Sequence, residues 1–198
     1  FPLARHDGSD QQQQQAEQAI GLAALSQAMA EISLHLQALF NTITQRIAWL
    51  MKDLCVLSLL SEDRLWMQPV AIAGPRSEEV ALLKNIVHAA PDRADTGWSA
   101  TIAISGQALL LANVPVAYVR SQVGARYVEF LEGLSEIHLL IVPLRARGRV
   151  LGSICLTRLA SHPPYSRADE RFLQDLGDRA GLAIENARLF AEAELARA

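Results

Sequence analysis

IHLLIVPLRARGRVLGSICLTR, residues 137–158, decides the fold because it consists of two apolar runs joined by a short basic turn. Gly148 lies in that turn and can supply the positive φ that a tight antiparallel turn usually requires, so the stretch predicts a β-hairpin turning near Arg147 and Gly148. Both faces of the first arm are apolar, which indicates a central strand covered on both sides. Pro143 is the exception, because proline donates no ladder hydrogen bond and belongs at an edge, at a bulge or where its missing N–H is not needed.

The second arm predicts another central strand, whose side chains alternate between the two faces of the sheet. Val150, Gly152, Ile154 and Leu156 share one face, and Leu151, Ser153, Cys155 and Thr157 share the other. A glycine inside a strand often marks a place where another part of the backbone approaches closely. We therefore expect a helix to lie close to Gly152.

Turn residues, capping residues and hydrophobic periodicity predict the remaining elements. The predicted strands cover residues 53–60, 65–73 and 108–112, and the predicted helices cover residues 77–88 and 97–105. Gly106 is expected to end the second of these helices. Residues 115–136 form a long connection with one or two short helices, and connections of this length are usually functional. Ser166 is expected to cap a final helix with Asp169 and Glu170 in its first turn.

The hairpin and the order of the elements around it resemble GAF domains, the sensory modules of signalling proteins. The resemblance rests on VPL at residues 142–144, a short basic turn with glycine, RVLGSICLTR at 149–158 and a helix that ends AGLAIENARLF at 180–190, and it extends over residues 34–190. It implies an α/β domain with a central antiparallel sheet of five to six strands. The terminal helices would lie on one face of the sheet, and short helices and loops would cover a pocket on the other.

Composition argues against several classes of protein. With 198 residues, of which 51% are hydrophobic and 20% are charged, the chain is expected to form one globular domain with an extra helical segment. A net charge of −3 without a dense Lys/Arg cluster gives no basis for nucleic-acid binding. We find neither a signal peptide nor a run of roughly 20 apolar residues, and Cys55 and Cys155 lie in apolar runs. We therefore expect a cytoplasmic chain with reduced cysteines and no membrane contact.

Four segments are predicted along the chain. Residues 1–18 form a flexible polar lead-in that contains five consecutive glutamines. Residues 19–50 form a long N-terminal helix for signalling and dimerisation, with a kink expected near residues 33–35. Residues 51–190 form the GAF domain, and residues 191–198 extend the last helix toward an output domain.

Two stripes of apolar residues predict a homodimer through the terminal helices. In the N-terminal helix, apolar residues recur at alternating spacings of three and four, which is a heptad pattern. The final helix has a second such stripe of mostly small residues, and the helices of two chains would form a four-helix bundle. The predicted interface consists of Leu22, Leu25, Met29, Ile32, Leu36, Leu176, Ala180, Ala183, Ala187 and Phe190, whereas Leu173, Leu182 and Ile184 are expected to face the sheet. A parallel dimer is expected, although the pattern alone does not distinguish it from an antiparallel one, and the alternative is that the N-terminal stripe packs inside its own domain.

No catalytic residue and no metal site is predicted. The five histidines are scattered, the glycines of the hairpin do not form a phosphate-binding loop, and neither cysteine lies in a recognisable catalytic motif. Relative to the GAF family, the chain lacks the NKFDE motif of cyclic-nucleotide binders and has Asn113 where an aspartate commonly precedes valine. No histidine follows Cys55 or Cys155, unlike the attachment cysteine of bilin binders.

The resemblance implies that a ligand would lie between the central strands and the cover formed by residues 97–136. Aromatic residues are frequent in this cover, and aromatic residues line many binding pockets. The predicted ligand-binding residues are Trp98, Tyr118, Tyr127, Phe130 and His138. For the aromatic residues the alternative is that they only fill the core. His138 starts the strand of the VPL motif, where GAF domains often have a small polar residue facing the cavity, and the alternative is a strand-end histidine half in solvent.

These expectations together predict a regulatory, ligand-sensing and dimerisation domain of a signal-transduction protein such as a two-component system. A small molecule or a structural cue at the pocket would act through the terminal helices on an output domain of kinase or cyclase type. The identity of any ligand or cofactor stays open. The alternatives are a purely structural dimerisation module whose cavity is filled by its own side chains, and an enzyme of the free methionine sulfoxide reductase type. The catalytic cysteines of those reductases lie in loops around the pocket, whereas Cys55 and Cys155 lie in predicted strands. The enzyme is therefore the weaker alternative.

Overall fold

The computed structural model describes residues 7–88, 91–123 and 125–197, and within them all side chains except those of 7–26, 28–29, 87–88 and 126. In chain order the elements are α1 (Asp7–Met51), β1 (Leu54–Leu60), β2 (Trp66–Ala73), α2 (Ser77–His88), β3 (Asp92–Arg93), α3 (Gly97–Ser105), β4 (Leu109–Pro115), α4 (Val116–Gln122), a 3₁₀ turn (Ala125–Tyr127), β5 (Glu136–Ala146), β6 (Arg149–Leu159) and α5 (Arg167–Leu195). Among the described helices, none has the length and apolar content needed to span a bilayer.

The six strands form one antiparallel sheet with the order β3-β2-β1-β6-β5-β4. The predicted fold class, an α/β domain with a central antiparallel sheet, is therefore confirmed. β1 and β6 lie at the centre of the sheet, and helices cover both of its faces. Strands that are covered on both faces need apolar side chains on both, which is why β5 and β6 read as nearly continuous apolar runs.

The predicted hairpin is formed by β5 and β6 and turns through two residues in the left-handed conformation. Arg147 has a φ of 49° and Gly148 a φ of 74°. Two consecutive left-handed residues are typical of the type I′ turn, whose twist matches that of the flanking strands. Ala146 pairs with Arg149 directly across the turn, so the predicted position of the turn is confirmed.

Pro143 lies where β5 has no strand on its outer side. The pairing of β4 with β5 ends at Leu109, which lies opposite Ile141. The carbonyl oxygen of Pro143 accepts a hydrogen bond from Nε2 of Gln174 in α5 at 3.1 Å. In an antiparallel strand the N–H and the C=O of one residue point to the same side. The missing N–H of Pro143 therefore breaks no bond of the ladder.

Two strand predictions need correction. The strand predicted over residues 108–112 is β4, which ends three residues later at Pro115. β4 is also the fourth strand rather than the third, because the two residues of β3 pair with Trp66 and Met67 at the edge of the sheet. A strand of two residues has no alternation of polar and apolar positions that a sequence pattern could detect.

α1 and α5 pack on one face of the sheet, which we call the helix face. The strand residues that point to this face are apolar and buried, and they are Cys55, Leu57, Leu59, Leu140, Val142, Leu144, Ile154 and Leu156. Phe40 and Ile47 of α1 and Leu173 and Ile184 of α5 complete this layer. Full burial of one such side chain is worth about 1.5–3 kcal/mol relative to exposure. The helix face is therefore the main core of the domain.

Two glycines allow close backbone approaches on this face, and one of them differs from its prediction. A Cβ on Gly181 of α5 would collide with the carbonyl oxygen of Arg145, so α5 lies directly against β5. A Cβ on Gly152 would collide with the carbonyl oxygen of Ser58 in β1. The close neighbour of Gly152 is therefore an adjacent strand and not a helix. β1 is irregular at this place, with a register shift between Leu57 and Ser58.

α5 begins with the predicted cap. The Oγ atom of Ser166 accepts a hydrogen bond from the backbone N–H of Asp169 at 3.2 Å, and the Asp169 carboxylate accepts one from the backbone N–H of Ser166 at 2.8 Å. Leu173 and Ile184 are fully buried against the sheet as predicted, whereas Leu182 is 49% exposed. Leu182 follows Leu173 by nine positions, which is two and a half helical turns and places it on the opposite side of α5.

The residues predicted for the dimer interface are distributed over both sides of the terminal helices. Ala180 is buried in the core of the domain, and Leu36 and Leu176 pack against that core. Ile32 and Ala187 are half-buried, and Ala183 and Phe190 are exposed. The side chains of Leu22, Leu25 and Met29 lie outside the described part of the chain. The stripe of α1 therefore packs, in its C-terminal half, inside its own domain.

α1 is a helix of 45 residues. It starts at Asp7, within the segment 1–18 that the sequence predicts as a lead-in, and it continues through residues 33–35. The mobility of the lead-in and the kink near residues 33–35 stay predictions. At its other end, α1 is separated from β1, a central strand of the sheet, by only two residues.

Candidate functional site

The face of the sheet opposite α1 and α5, which we call the pocket face, carries a half-open cavity of about 610 Å³. Small-molecule pockets typically measure about 300–1,000 Å³. The floor of the cavity includes Val56, Ser58, Met67, Pro69, Ile137, Leu139, Ile141, Ser153, Cys155 and Thr157. The roof includes Leu83, Asp92, Arg93, Thr96, Gly97, Trp98, Ser99, Ile102, Val119, Ser121, Gln122, Val123, Tyr127, Phe130 and Leu131.

The floor carries two hydroxyl groups at the centre of the sheet. Ser58 in β1 and Ser153 in β6 lie directly opposite each other, and each residue is only 8% exposed. Within the described residues, neither hydroxyl makes a hydrogen bond to the protein. Buried polar groups normally have a hydrogen-bond partner. These two hydroxyls are therefore free to bind a molecule in the cavity.

The roof is closed by a contact between the start of α3 and the end of α4. Gly97 has a φ of 57°, and a Cβ at this position would collide with the carbonyl oxygen of Gln122. Only glycine combines this conformation with such a close approach. The next residue, Trp98, meets Tyr118 edge to face, with the ring centroids 6.2 Å apart. The two helices thus hold the Trp98 ring over the cavity.

The described lining residues include two charged ones, Asp92 and Arg93, and both have partners. Oδ2 of Asp92 accepts a hydrogen bond from the Tyr127 hydroxyl at 2.8 Å. Nε of Arg93 donates to the Asp95 carboxylate at 2.8 Å, and its guanidinium carbon lies 5.4 Å from the centroid of the Trp66 ring. The hydrogen bond from Arg93 lowers the pKa of Asp95. Both charged side chains at the roof therefore already have partners within the protein, Asp92 a neutral hydroxyl and Arg93 a carboxylate.

The cavity includes three of the five predicted ligand-binding residues, Trp98, Tyr127 and Phe130. Tyr118 lies outside it, is 52% exposed and supports the Trp98 ring from the solvent side. His138 also lies outside the cavity and is 1% exposed. It shares the helix face with Leu140, because side chains two positions apart in a strand point to the same side. Two predictions were made for His138, that it contacts the ligand or that it lies half in solvent at the end of the strand. Both need correction.

Both ring nitrogens of His138 have partners. Nδ1 accepts a hydrogen bond from the backbone N–H of Asn113 at 3.0 Å. Nε2 lies 3.0 Å from the carbonyl oxygen of His162, so Nε2 carries the proton. Asn113 has a φ of 49° and lies in the irregular part of β4, just before α4 of the roof. His138 therefore connects the roof side of β4 with the loop between β6 and α5.

The loop between β6 and α5 is held near the end of α1 by a largely buried cluster of side chains around Asp53. Nη2 of Arg158 lies 2.8 Å from Oδ2 of Asp53, and the Tyr165 hydroxyl donates to the same oxygen at 3.0 Å. The guanidinium carbon of Arg158 lies 4.1 Å from the centroid of the Tyr165 ring. Burial raises the pKa of the Tyr165 phenol, which keeps it a hydrogen-bond donor. Contacts thus continue from the roof to the ends of both terminal helices.

The two cysteines lie on opposite faces of the sheet. Cys155 lines the cavity, whereas Cys55 belongs to the core of the helix face. Their side chains point apart, so the two are not placed for a disulfide bond. Burial raises the pKa of the Cys155 thiol to about 11 and raises the pKa of Cys55 as well. At neutral pH both are protonated thiols, which are weak nucleophiles. The described residues contain no cluster of histidines, cysteines or carboxylates that could hold a metal ion.

A family model described as GAF domain matches residues 35–184, which is more than half of the chain. The chain belongs to the GAF domain family. The matched region begins within α1 and ends within α5, so it contains the whole sheet, the cavity and the roof. GAF domains are mostly regulatory or sensory, which agrees with the regulatory class that the sequence predicts.

Solved structures of two other GAF domains and of one enzyme share this fold. The GAF domain of a phosphoenolpyruvate-protein phosphotransferase from Acinetobacter is 21% identical, with a TM-score of 0.60, over 86% of this chain and 95% of that one. The second GAF domain of DevS from Mycobacterium smegmatis is 15% identical, with a TM-score of 0.59, over 80% and 99%. The type II free methionine-R-sulfoxide reductase from Thermoplasma acidophilum is 14% identical, with a TM-score of 0.52, over 76% and 96%. At these identities the likeness concerns the fold alone.

Sequence reasoning missed the two serines on the floor of the cavity. Ser58 lies in LCVLSLL and Ser153 in VLGSICL, and each is a single hydroxyl residue inside an otherwise apolar strand. In an apolar strand that is covered on both faces, burying an isolated hydroxyl costs free energy unless that hydroxyl has a hydrogen-bond partner. This mismatch between residue type and strand type is the signal that could have identified both positions.

Proposed function

We propose that this GAF domain is a ligand-sensing and dimerisation module of a signal-transduction protein. A small molecule binds in the cavity of the pocket face, and the terminal helices transmit the resulting change to an output domain of kinase or cyclase type, as in a two-component system. Membership of the GAF family supports a regulatory sensing role in general. The ligand, the dimer and the output domain are the specific parts of the proposal.

The observation that carries the ligand part is the cavity itself. Small-molecule sites are typically concave, mostly apolar pockets that contain a few polar groups. A half-open space of about 610 Å³ between three aromatic residues and two buried hydroxyls fits that description. Because its own side chains do not fill it, the cavity favours ligand sensing over the alternative of a purely structural module.

Two groups of contacts support transmission from the cavity to the terminal helices. The first consists of Asn113, His138 and His162, which join β4 to the loop before α5. The second consists of Arg158, Asp53 and Tyr165, which join that loop to the end of α1. A ligand that shifts the roof displaces β4 and therefore acts on this connected set. Small shifts of packed helices are a common way in which regulatory domains change state.

Exposed apolar side chains on the terminal helices support the dimer part. Leu34 is 70% exposed and Trp49 is 73% exposed on α1, and Leu182 and Phe190 are 49% and 68% exposed on α5. A few exposed apolar residues are normal, but large ones that are grouped on neighbouring helices are typical of an interface. The dimer surface that we propose combines α1 up to Leu34 with the solvent side of α5, and Trp49, in the last turn of α1, lies outside it.

The cysteines support a regulatory role over that of a sulfoxide reductase. A thiol nucleophile needs a lowered pKa and access to substrate. Burial instead raises the pKa of both thiols, and Cys55 lies on the face opposite the cavity. Cys155 alone has no second cysteine at the cavity, among the described lining residues, with which to form a disulfide.

Native mass spectrometry of the 198-residue protein, purified from the source cells without denaturation, tests the ligand part. We expect an additional mass that is lost on denaturation. Replacing Ile141 on the floor with tryptophan should fill the cavity and abolish the additional mass. Replacing Phe172, which is 46% exposed on α5, with tryptophan is the matched control and should retain it. An unmodified mass, also after incubation with an extract of the same cells, would contradict ligand sensing.

Multi-angle light scattering tests the dimer part. We expect a dimer for the unmodified protein and a monomer with an unchanged far-ultraviolet helical signal when Leu25, Met29 and Ile32 are replaced with glutamate, because like charges would then meet in the interface. Glutamate at Ala81 and Asn85, which are exposed on α2, is the control and should leave the dimer intact. A monomeric unmodified protein would contradict the dimer, and a persistent dimer of the triple variant would place the interface elsewhere.

A further inference from the structure

The two floor serines, Ser58 and Ser153, indicate the polar part of the molecule that the cavity accommodates. Their Cα atoms are direct partners across β1 and β6, so both hydroxyls reach the cavity at one place. Each residue is more than nine-tenths buried, and within the described chain neither hydroxyl has a protein partner. Leaving a buried hydroxyl unpaired is costly. A pair of such hydroxyls at one place fits a single hydrogen-bonding group of a bound molecule.

The charges around the cavity restrict the net charge of that molecule. The floor residues are apolar, hydroxyl-bearing or thiol-bearing, and the Cys155 thiol is protonated at neutral pH. Asp92 and Arg93 at the roof already have Tyr127 and Asp95 as partners. Burying an ion without a counter-charge is expensive. The described lining therefore favours a molecule without net charge.

The remaining walls of the cavity indicate the chemistry of the rest of the bound molecule, which we call its body. Met67, Ile102 and Leu131 present apolar surface, and Trp98 and Phe130 present aromatic rings. Apolar surface gains free energy in proportion to the area that it removes from water, and aromatic rings add preferred edge-to-face or offset contacts. Such walls fit an apolar or aromatic body.

Resting on the proposed ligand-sensing function, we infer that the cavity binds a neutral, mainly apolar or aromatic small molecule with one carbonyl, amide or hydroxyl group. That group exchanges hydrogen bonds with the hydroxyls of Ser58 and Ser153. The body of the molecule lies under Trp98 and Phe130. Hydroxyls both donate and accept hydrogen bonds, so the serine pair accommodates either kind of polar group.

Four probes of nearly equal shape test this inference on the full chain. Indole-3-carboxamide is neutral with a polar group, 3-methylindole is neutral without one, indole-3-carboxylate is an anion and 3-(aminomethyl)indole is a cation at pH 7. Titration calorimetry gives the affinity of each probe. The rate of Cys155 alkylation by iodoacetamide gives the location, because a probe in the cavity slows that reaction. We expect the carboxamide to bind best, by at least about tenfold over either charged probe.

The variant with both Ser58→Ala and Ser153→Ala separates the polar contact from the apolar one. We expect it to weaken the carboxamide by about threefold to tenfold and to leave 3-methylindole unchanged. Ser135→Ala is the matched control, because Ser135 is exposed and lies outside the described lining of the cavity, and it should change neither affinity. The melting temperature of each variant shows that the comparison is made between folded proteins.

The outcomes distinguish this inference from the function on which it rests. Preferred binding of a charged probe, with protection of Cys155, would overturn the inference and leave ligand sensing intact. Equal affinity of the carboxamide for the double variant and the unmodified protein would overturn the assignment of the serine pair. Absence of binding and of Cys155 protection for all four probes, together with no co-purified mass, would overturn both the inference and the ligand-sensing function.

Discussion

Leu140 and Ile141 are neighbours in β5, yet they belong to two differently built faces of the same sheet. Leu140 is fully buried in the core beneath α1 and α5, whereas Ile141 lines the cavity. Alternation along a strand separates the two faces at every position. The helix face is filled and provides stability, and the pocket face retains space at the expense of packing. One set of strands can thus serve stability on one side and binding on the other.

The largest expected effect tests this division directly. Leu140→Ala should lower the free energy of unfolding by about 2–5 kcal/mol, because it opens a new void in a packed layer. Ile141→Ala should cost less, about 2 kcal/mol at the lower end of that range, because part of its side chain already faces the cavity. Urea denaturation of both variants measures the difference. Equal costs would mean that the cavity closes around Ile141 in solution.

The next comparison uses the adjacent positions Gly152 and Ser153 of β6. Gly152→Ala should destabilise the domain by about 1–3 kcal/mol, because the added Cβ collides with the backbone of Ser58. Ser153→Ala should not destabilise the unliganded domain and should stabilise it slightly, because it removes a buried hydroxyl that makes no hydrogen bond within the described protein. Thermal unfolding of both variants, with and without urea, measures the change in stability that each substitution causes. A cost at Ser153 as large as that at Gly152 would reveal a protein partner for its hydroxyl.

The two cysteines provide a chemical comparison of the faces. In the native protein, iodoacetamide should modify Cys155 through the cavity and leave Cys55 unmodified until the domain unfolds. Because the pKa of Cys155 is raised to about 11, only about one thiol in a thousand is ionised at pH 8, and the rate should rise about tenfold per pH unit up to pH 10. Mass spectrometry of tryptic peptides follows the two sites, with Cys155→Ser as the control. Faster modification of Cys55 would reverse the assignment of the faces, and a Cys155 rate that does not depend on pH would contradict the raised pKa of that thiol.

The smallest effect concerns the helix layer at low pH. Hydrogen bonds from Ser166 lower the pKa of the Asp169 carboxyl. A lowered pKa in the folded state means that this contribution to stability is complete above the ordinary carboxyl pKa and is lost as the pH falls through the folded-state pKa. Asp169→Asn should therefore cost about 0.5–1 kcal/mol at pH 7 and much less near pH 2. A cost that does not depend on pH would show that the charge of Asp169 has no role in the cap.

Much of the fold could be predicted from the sequence because the deciding signals are local. Two left-handed residues between apolar runs specify the β5–β6 turn, and a serine three positions before an acidic residue specifies the cap of α5. Residues 77–88 and 97–105 are helical as predicted. The edge strand β3 escaped prediction because its two residues depend on pairing with β2 and not on their own pattern.

The candidate site was less predictable because the choice of face is not local. When both faces of a strand are apolar, alternation shows that His138 and Leu140 share a side, but not whether that side faces the pocket. The faces are decided by where the helices pack, which depends on close approaches such as that of Gly181 to Arg145. Trp98, Tyr127 and Phe130 line the cavity because the cover as a whole lies on the pocket side, and their contact with a ligand stays a prediction.

Pro143 also has a consequence for association between copies of the protein. Beyond Ile141 the outer edge of β5 has no strand partner, and such edges can recruit strands of other molecules into aggregates. At this edge Pro143 offers no N–H, its carbonyl oxygen is bound by Gln174, and Arg145 pairs with Asp178 of α5 at 2.9 Å. The opposite edge is β3, which is only two residues long. The unpaired stretch of β5 is therefore a poor template for a strand of another copy, because a proline and contacts with α5 occupy the positions at which such a strand would pair.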